Sequence, residues 1–215
     1  MTIFLSPFPQ NCIARGLPQC GVDAATGLLS RNLFACKLER ELARVWPRAS
    51  ALLLIDVDGL DDLGEAFGRI GVEAVLEQFA RRLENLAPRG AALGRLDRDT
   101  LALLLAGPED LHQVTRTAAH IRRALEKPFD LAAGDIMLTA CIGIATSPTD
   151  ADTAAELLGH AGIALLHAGL AGHGVCCFYT ASMQALPATP WSARHRAHWS
   201  GATAGDAVKR PTVPA

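Results

Sequence analysis

The chain has 215 residues, half of them hydrophobic, and its 20 Lys and Arg against 22 Asp and Glu leave a formal net charge of −2. That is material for one domain of ordinary size with a single core, plus tails. The lack of a basic excess argues against a nucleic-acid-binding module driven by phosphate contacts, and no stretch approaches the ~20 apolar residues of a membrane span.

Residues 1–22 carry prolines, glycines and two cysteines without periodicity and read as a linker. Structure is expected from Asp23, with a first helix whose stripe is Phe34, Leu38, Leu42 and Val45 and whose stop is Pro47. The apolar run over 51–57 is too short for an ordinary helix and reads as a strand buried on both faces. Gly59–Ile70 is a polar, glycine-containing connection with a short helical turn over Asp61–Phe67. A long helix follows, because Val72, Val75, Leu76, Phe79, Leu83 and Leu86 recur at helical spacing up to Pro88. Ala91–Leu105 reads as a hairpin around the polar tip Asp97-Arg98-Asp99-Thr100. The next helix presents Leu111, Val114, Ala118, Ile121 and Leu125. Residues 135–146 alternate as a strand with Ile136, Leu138, Ala140, Ile142 and Ile144 on one face. A helix over 152–170 packs Leu157, Leu158, Ala161, Leu165 and Ala168 inward, and Val175–Tyr179 forms the last strand. From residue 184 four prolines and two tryptophans without apolar period mark a disordered tail.

The order predicts an α/β (α+β) fold of the ferredoxin-like palm type, a central mixed or antiparallel sheet flanked by helices. The domain spans 23–183 between the linker 1–22 and the tail 184–215. Cysteines at 12, 20, 36, 141, 176 and 177 show neither C-x-x-C spacing nor a disulfide framework, so a reducing, cytoplasmic setting fits. Cys176 and Cys177 should alternate across a strand.

Asp56 and Asp58 share a face at the C-terminal end of the buried strand, where α/β sheets tend to bind ligands and metals. Solvated acids at a strand end are the competing reading. Asp61-Asp62 reads as a charge pair at a helix start. His160, His167 and His173 read as surface histidines rather than a metal site, because spacing supplies no third ligand. Arg194-His195-Arg196 reads as part of the polar tail.

Five segments together carry a resemblance: Asp23-Ala24-Ala25-Thr26-Gly27-Leu28-Leu29-Ser30-Arg31, Ile55-Asp56-Val57-Asp58-Gly59-Leu60, Phe67-Gly68 with Leu76, Thr139-Ala140-Cys141-Ile142-Gly143-Ile144-Ala145 with Ser147-Pro148, and Ala161-Gly162-Ile163-Ala164-Leu165 with Ala168 and Gly172. In this order and spacing, over Asp23–Met183, they resemble the GGDEF domain, the diguanylate cyclase domain of bacterial cyclic-di-GMP signalling. The resemblance implies a site where two facing domains each hold GTP and join them by attack of a ribose 3′-hydroxyl on an α-phosphate, with a carboxylate-held divalent cation. It maps Mg²⁺ onto Asp56, the Val57 carbonyl and Asp99.

The rest of the implied site has eroded. The signature G-G-[DE]-E-F reads Asp97-Arg98-Asp99-Thr100-Leu101 here. Asp99 remains as the catalytic remnant, and the space of both glycines is filled by Asp97 and Arg98, placing a carboxylate where a phosphate should lie. The guanine-reading Asn falls on Gly64 and the guanine-reading Asp on Glu73. The phosphate-binding Lys and Arg fall on Gly169 and His173, the family's F-G-H histidine on Arg69, and the inhibitory R-x-x-D pair on Pro88 and Ala91. Each unpaired purine edge costs on the order of 1–3 kcal/mol. The expectation is therefore a catalytically inactive regulatory or interaction module whose partners are other signalling proteins or domains. A weak diguanylate cyclase and a non-hydrolysing GTP sensor are the alternatives. The compositional break after Met183 lies where a further domain would begin, so the chain is expected to be a fragment, a truncation or the product of a shifted frame. The first 22 residues are too short to supply a coiled coil, and the sequence leaves dimerisation open.

Overall fold

The computed structural model describes residues 21–44, 49–132 and 134–184. Most of the expected linker, Val45, Pro47 and the tail from residue 185, Arg194-His195-Arg196 included, lie outside the described residues.

In chain order the elements are β1 (Leu29–Ser30), α1 (Arg31–Leu42), β2 (Ser50–Val57), α2 (Leu60–Leu86), β3 (Ala92–Arg95), β4 (Thr100–Ala106), α3 (Leu111–Leu125), β5 (Ala140–Ser147), α4 (Ala154–Ala171) and β6 (Cys176–Phe178), followed by a 3₁₀ turn, Ala181–Gln184. The sheet runs β1-β3-β4-β2-β5-β6, antiparallel through its four central strands and parallel at both edges. β2 is central, paired with β4 on one side and β5 on the other, and all eight of its residues are buried. Helices cover both its faces, which is why its sequence is a continuous apolar run rather than an alternation.

The two faces sort by parity. Leu53, Ile55, Val57, Leu101, Leu103, Leu105, Ile142 and Ile144 join the cluster under α2 and α3. Leu52, Leu54, Ala102, Leu104, Cys141 and Ala145 join the one under α1 and α4. α4 lies so close on β5 that a Cβ at Gly143 would stand 2.2 Å from both the Ala161 carbonyl oxygen and the Leu165 nitrogen. Only glycine fits there. Three of the four helices start at side-chain caps: Ser30 Oγ, Asp110 Oδ1 and Thr153 Oγ1 accept from the backbone N–H groups of Leu33, Gln113 and Glu156, whereas α2 starts at Gly59. Arg82 pins the loop after α3 to α2, donating to the carbonyls of Ala124 and Lys127 while its guanidinium lies 4.0 Å over the Phe129 ring.

Several expectations need correction. The short strand β1 was not expected; two residues give no readable period. The connection and long helix after Gly59 form one element, broken where Gly68 takes φ 65° and ψ −174°. The strand expected over 135–146 begins only at Ala140. Ile136 instead bridges Phe129, and Ile136 and Leu138 still pack on the same cluster as Ile142 and Ile144. Leu111 is 61% exposed rather than inward. Cys176 and Cys177 do pack against opposite clusters. α4, at 18 residues and mean hydropathy 1.3, is long and apolar enough by length and composition to cross a membrane, against the expectation that no stretch approaches one; seven of its residues are buried.

Candidate functional site

The C-terminal end of β2, the β3–β4 tip, the first half of α2 and the end of α4 supply the residues singled out from the sequence. Asp56 is buried, and register sets it between Thr100 of β4 and Cys141 of β5. Asp99 stands one residue beyond Thr100, so the two acids end adjacent strands. Its Oδ1 accepts from Thr100 Oγ1 at 3.1 Å. Two carboxylates and the Val57 carbonyl are hard oxygen donors, the class Mg²⁺ takes alongside substrate phosphates, so in donor chemistry these residues fit that ion. Among the described residues no three His, Cys, Asp or Glu side chains gather as a metal cluster.

Asp58 does different work from Asp56. Its Oδ2 accepts from Thr139 Oγ1 at 2.6 Å and from the Gly174 N–H at 2.9 Å, tying the end of β2 to the start of β5 and to the loop before β6. His173, 83% exposed, brings Nδ1 to 3.7 Å from Asp58 Oδ1. Gly169, on α4, has no side chain to offer. Cys141 lies behind this corner and donates to the Gly172 carbonyl. Burial, with the Asp58 and Asp56 carboxylates nearby, pushes its thiol up to about 12.

The tip is held by residues to which the sequence reading gave no role. Arg95, with 8% of its side chain exposed, spends its whole guanidinium. Nη1 donates to Glu73 Oε2 at 2.7 Å and to Asp23 Oδ1 at 3.2 Å; Nη2 donates to the Arg98 carbonyl at 2.8 Å and to Glu73 Oε1 at 3.3 Å; Nε donates to the Asp97 carbonyl at 3.2 Å. Burial works to lower the Arg95 pKa, but the Glu73 hydrogen bond and the Asp23 charge outweigh it and raise it. At Asp23 burial pushes upward, and two hydrogen bonds from Thr26 with the Arg95 charge hold the carboxyl below its usual range. Glu73 therefore faces Arg95 with both oxygens. Arg31, at the start of α1, donates Nε to the Leu96 carbonyl at 2.6 Å and Nη2 to Asp97 Oδ2 at 3.1 Å.

That last contact revises the expectation for Asp97. Its carboxylate is paired with Arg31 and accepts the Arg98 backbone N–H at 2.8 Å. The Arg98 side chain turns the other way, toward α2. Its Nη1 lies 4.0 Å from Asp61 Oδ1, and a Cβ on Gly64 would stand 3.0 Å from its Nη2. Leu101 is buried in the core. His160 stacks on Tyr179 with ring centroids 4.1 Å apart and Nδ1 2.8 Å from the Asp150 carbonyl. His167 Nε2 lies 3.0 Å from the Met183 carbonyl. Both are half-buried packing groups rather than surface histidines. One signal could have found Arg95 and Arg31: each is a long cation flanking the polar tip or opening a helix beside it, among acids with no other partner in sequence.

The family described as "Diguanylate cyclase, GGDEF domain" matches residues 20–174. The chain is 28% identical over 165 residues to the bifunctional diguanylate cyclase/cyclic di-GMP phosphodiesterase MucR of Pseudomonas aeruginosa, covering 76% of this chain and 24% of MucR. A structure of TpbB (YfiN) from the same organism, comprising only its GGDEF domain, superimposes with a TM-score of 0.72 at 29% identity, covering 76% of this chain and 96% of that one. The fold is also that of the P. aeruginosa diguanylate cyclase SiaD, solved with its activator SiaC, at TM-score 0.69 and 21% identity, covering 79% of this chain and 66% of SiaD. The chain spans 20–24% of the length of three curated relatives that it matches over about three quarters of itself. It belongs to the GGDEF family.

Proposed function

We propose that this GGDEF domain works in cyclic-di-GMP signalling as a regulatory or interaction module and does not turn GTP over. The observation that carries the reading is the end of α4. Where the family resemblance expects two phosphate-binding cations, Gly169 has no side chain and His173 is an exposed imidazole beside the Asp58 carboxylate. A triphosphate bound there would lack the fixed charges that stabilise charge developing in phosphoryl transfer. The tip adds to this, since Asp97 and Arg98 replace two glycines. The partner would be another signalling protein, as SiaC is for SiaD, in the cytoplasm.

A second reading, a GTP sensor or weak cyclase, draws on one feature, the adjacency of Asp56 and Asp99 at the ends of β2 and β4. In it Asp56, Asp99 and the Val57 carbonyl would hold Mg²⁺, whose chemistry is to neutralise the triphosphate. Calorimetric titration of GTP into the purified chain, with and without Mg²⁺, and chromatographic assay for cyclic-di-GMP separate the readings. Neither saturable metal-dependent heat nor product is expected. Product formation that Asp56→Ala abolishes would overturn the proposal, whereas metal-dependent binding without product would favour the sensor.

A further inference from the structure

The two faces of α3 are spent differently. Val114, Ala118, Ile121 and Leu125 belong to the buried cluster under α2 and α3. The opposite face carries His112, Arg116, His120, Arg123 and Lys127, all exposed. At 3.6 residues per turn they stay within an arc of about 80° over roughly 22 Å of helix. Lys127 lies past the last helical residue, but Glu126 keeps φ −65° and ψ −15°, so the row continues. The apolar stripe is consumed by the core, and what this helix offers outward is charge and imidazole.

These cations have no partner in the fold. Among the described residues, Arg116, Arg122, Arg123 and Lys127 make no side-chain hydrogen bond or ion pair. By contrast, Arg31, Arg44, Arg81, Arg82, Arg95 and Arg98 each hold a carboxylate or a carbonyl. Glu126 is the single acid from residue 112 to 127, and it pairs with none of the four. A helix C-terminus favours cations in its last turn, which accounts for Arg122 and Arg123. It does not account for Arg116 in mid-helix, nor for Lys127 four residues from Arg123, a spacing at which like charges repel. In a chain of net charge −2 the row is a local excess that folding does not call for.

We infer that the outer face of α3 is a docking surface for an anionic lipid bilayer. The row has no aromatic or large apolar side chain in it, so it lacks the buried anchors on which protein interfaces rely. It also lacks stacking groups, and the acidic balance of the whole chain disfavours nucleic acid. A charged plane needs neither anchor nor pocket, and the strip of a helix farthest from the core is the part that a plane touches. Asp61, Asp62 and Glu65 line a cleft beside the tip to which α3 contributes no residue. Charge is thus separated across the molecule, which turns α3 toward a negative surface. Each Lys or Arg near such a surface is worth about fivefold in affinity. The inference does not depend on whether the site at the tip turns GTP over.

The test is co-sedimentation of the purified full chain with vesicles of phosphatidylcholine containing about one third phosphatidylglycerol, at about 50 mM salt. Vesicles of phosphatidylcholine alone supply the uncharged surface. Arg116→Gln/Arg123→Gln is compared with Lys37→Gln/Arg40→Gln, which removes the same charge from α1, on the other face of the sheet. All four side chains are exposed, and unchanged thermal melts show that both variants fold. Wild type is expected to bind the anionic vesicles and to be released at about 0.5 M salt, where the screening length falls to about 4 Å. The α3 variant is expected to bind about 25-fold more weakly, and the α1 variant within about twofold of wild type. No binding to anionic vesicles, equal binding to uncharged ones, or equal weakening in the two variants would each overturn the inference. Binding of poly-glutamate that the α3 variant loses, without binding of vesicles, would overturn it in favour of an acidic protein partner.

Discussion

Replacing Arg95 by methionine tests whether one buried cation organises the tip. The substitution keeps an unbranched apolar stem and removes five hydrogen bonds, two to Glu73 and one each to Asp23 and the carbonyls of Asp97 and Arg98. Removing one partner of a fully buried ion pair costs about 3–5 kcal/mol, because the other charge is stranded. Here the Arg95 side chain is 8% exposed but Glu73 and Asp23 are 34% and 27% exposed, so water recovers part of the loss. A cost of about 2–4 kcal/mol follows. For a domain of this size that is a fall in Tm of about 6–12 °C, read by calorimetry or circular dichroism at pH 7. Arg95→Lys should recover little of it, since a point charge cannot reach two carboxylates and two carbonyls together. The sign of the pH dependence is also fixed. The Asp23 carboxyl titrates lower in the folded state than its ordinary 3.8, so its stabilisation is complete well above that value and is lost as pH falls through the folded pKa. The gap between wild type and Arg95→Met should accordingly narrow below about pH 4. A Tm within about 2 °C of wild type at pH 7 would refute the reasoning, because no ordered guanidinium could then be bridging α2 to the tip.

Three further outcomes are expected. Gly143→Ala pushes a methyl to 2.2 Å from the α4 backbone and forces the helix off β5, so a loss of at least about 3 kcal/mol is expected in urea unfolding; an unchanged midpoint would contradict the close packing. Asp58→Ala removes acceptors for Thr139 Oγ1 and the Gly174 N–H and should cost about 1–3 kcal/mol by the same measurement, whereas a solvated acid would cost nothing. With the thiols of Cys141 and Cys176 pushed up to about 12 and about 11, chiefly by burial, only about one molecule in a thousand carries either thiolate at pH 8. Iodoacetamide mapping should therefore find both unmodified until denaturant is added, and rapid native labelling would refute the burial.

What the sequence made legible is what depends on period and run length. β2 announces itself because burial on both faces demands eight buried residues in a row, and the second half of α2 because its stripe packs on one face of the sheet. Asp56 was found for the same reason, as an acid closing an apolar run, whereas Asp99 was reached only through the resemblance of the tip to the family signature. The partnerships around the tip were not legible. Arg31 meets Asp97, and Arg98 lies over Gly64, only because β1 is parallel to β3 and because α2 begins beside the tip. No local pattern encodes either contact. Asp97 illustrates the cost of reading a motif position by position. Aligned, it is a charge in the wrong place; folded, it is half of an ion pair.

The central position of β2 also has a consequence during synthesis. Its partner β4 emerges soon after it, but the strand that closes its other side, β5, is not complete until residue 147. Translation at about 5–20 residues per second leaves the β2 edge unpaired for roughly 2–8 seconds while the stretch after β4 is made. An open row of backbone donors and acceptors on a strand of Ala, Leu and Ile is a template for other chains. The nascent protein therefore passes through an interval of sticky incompleteness, and a ribosome that stalls before β5 holds an aggregation-prone half-sheet.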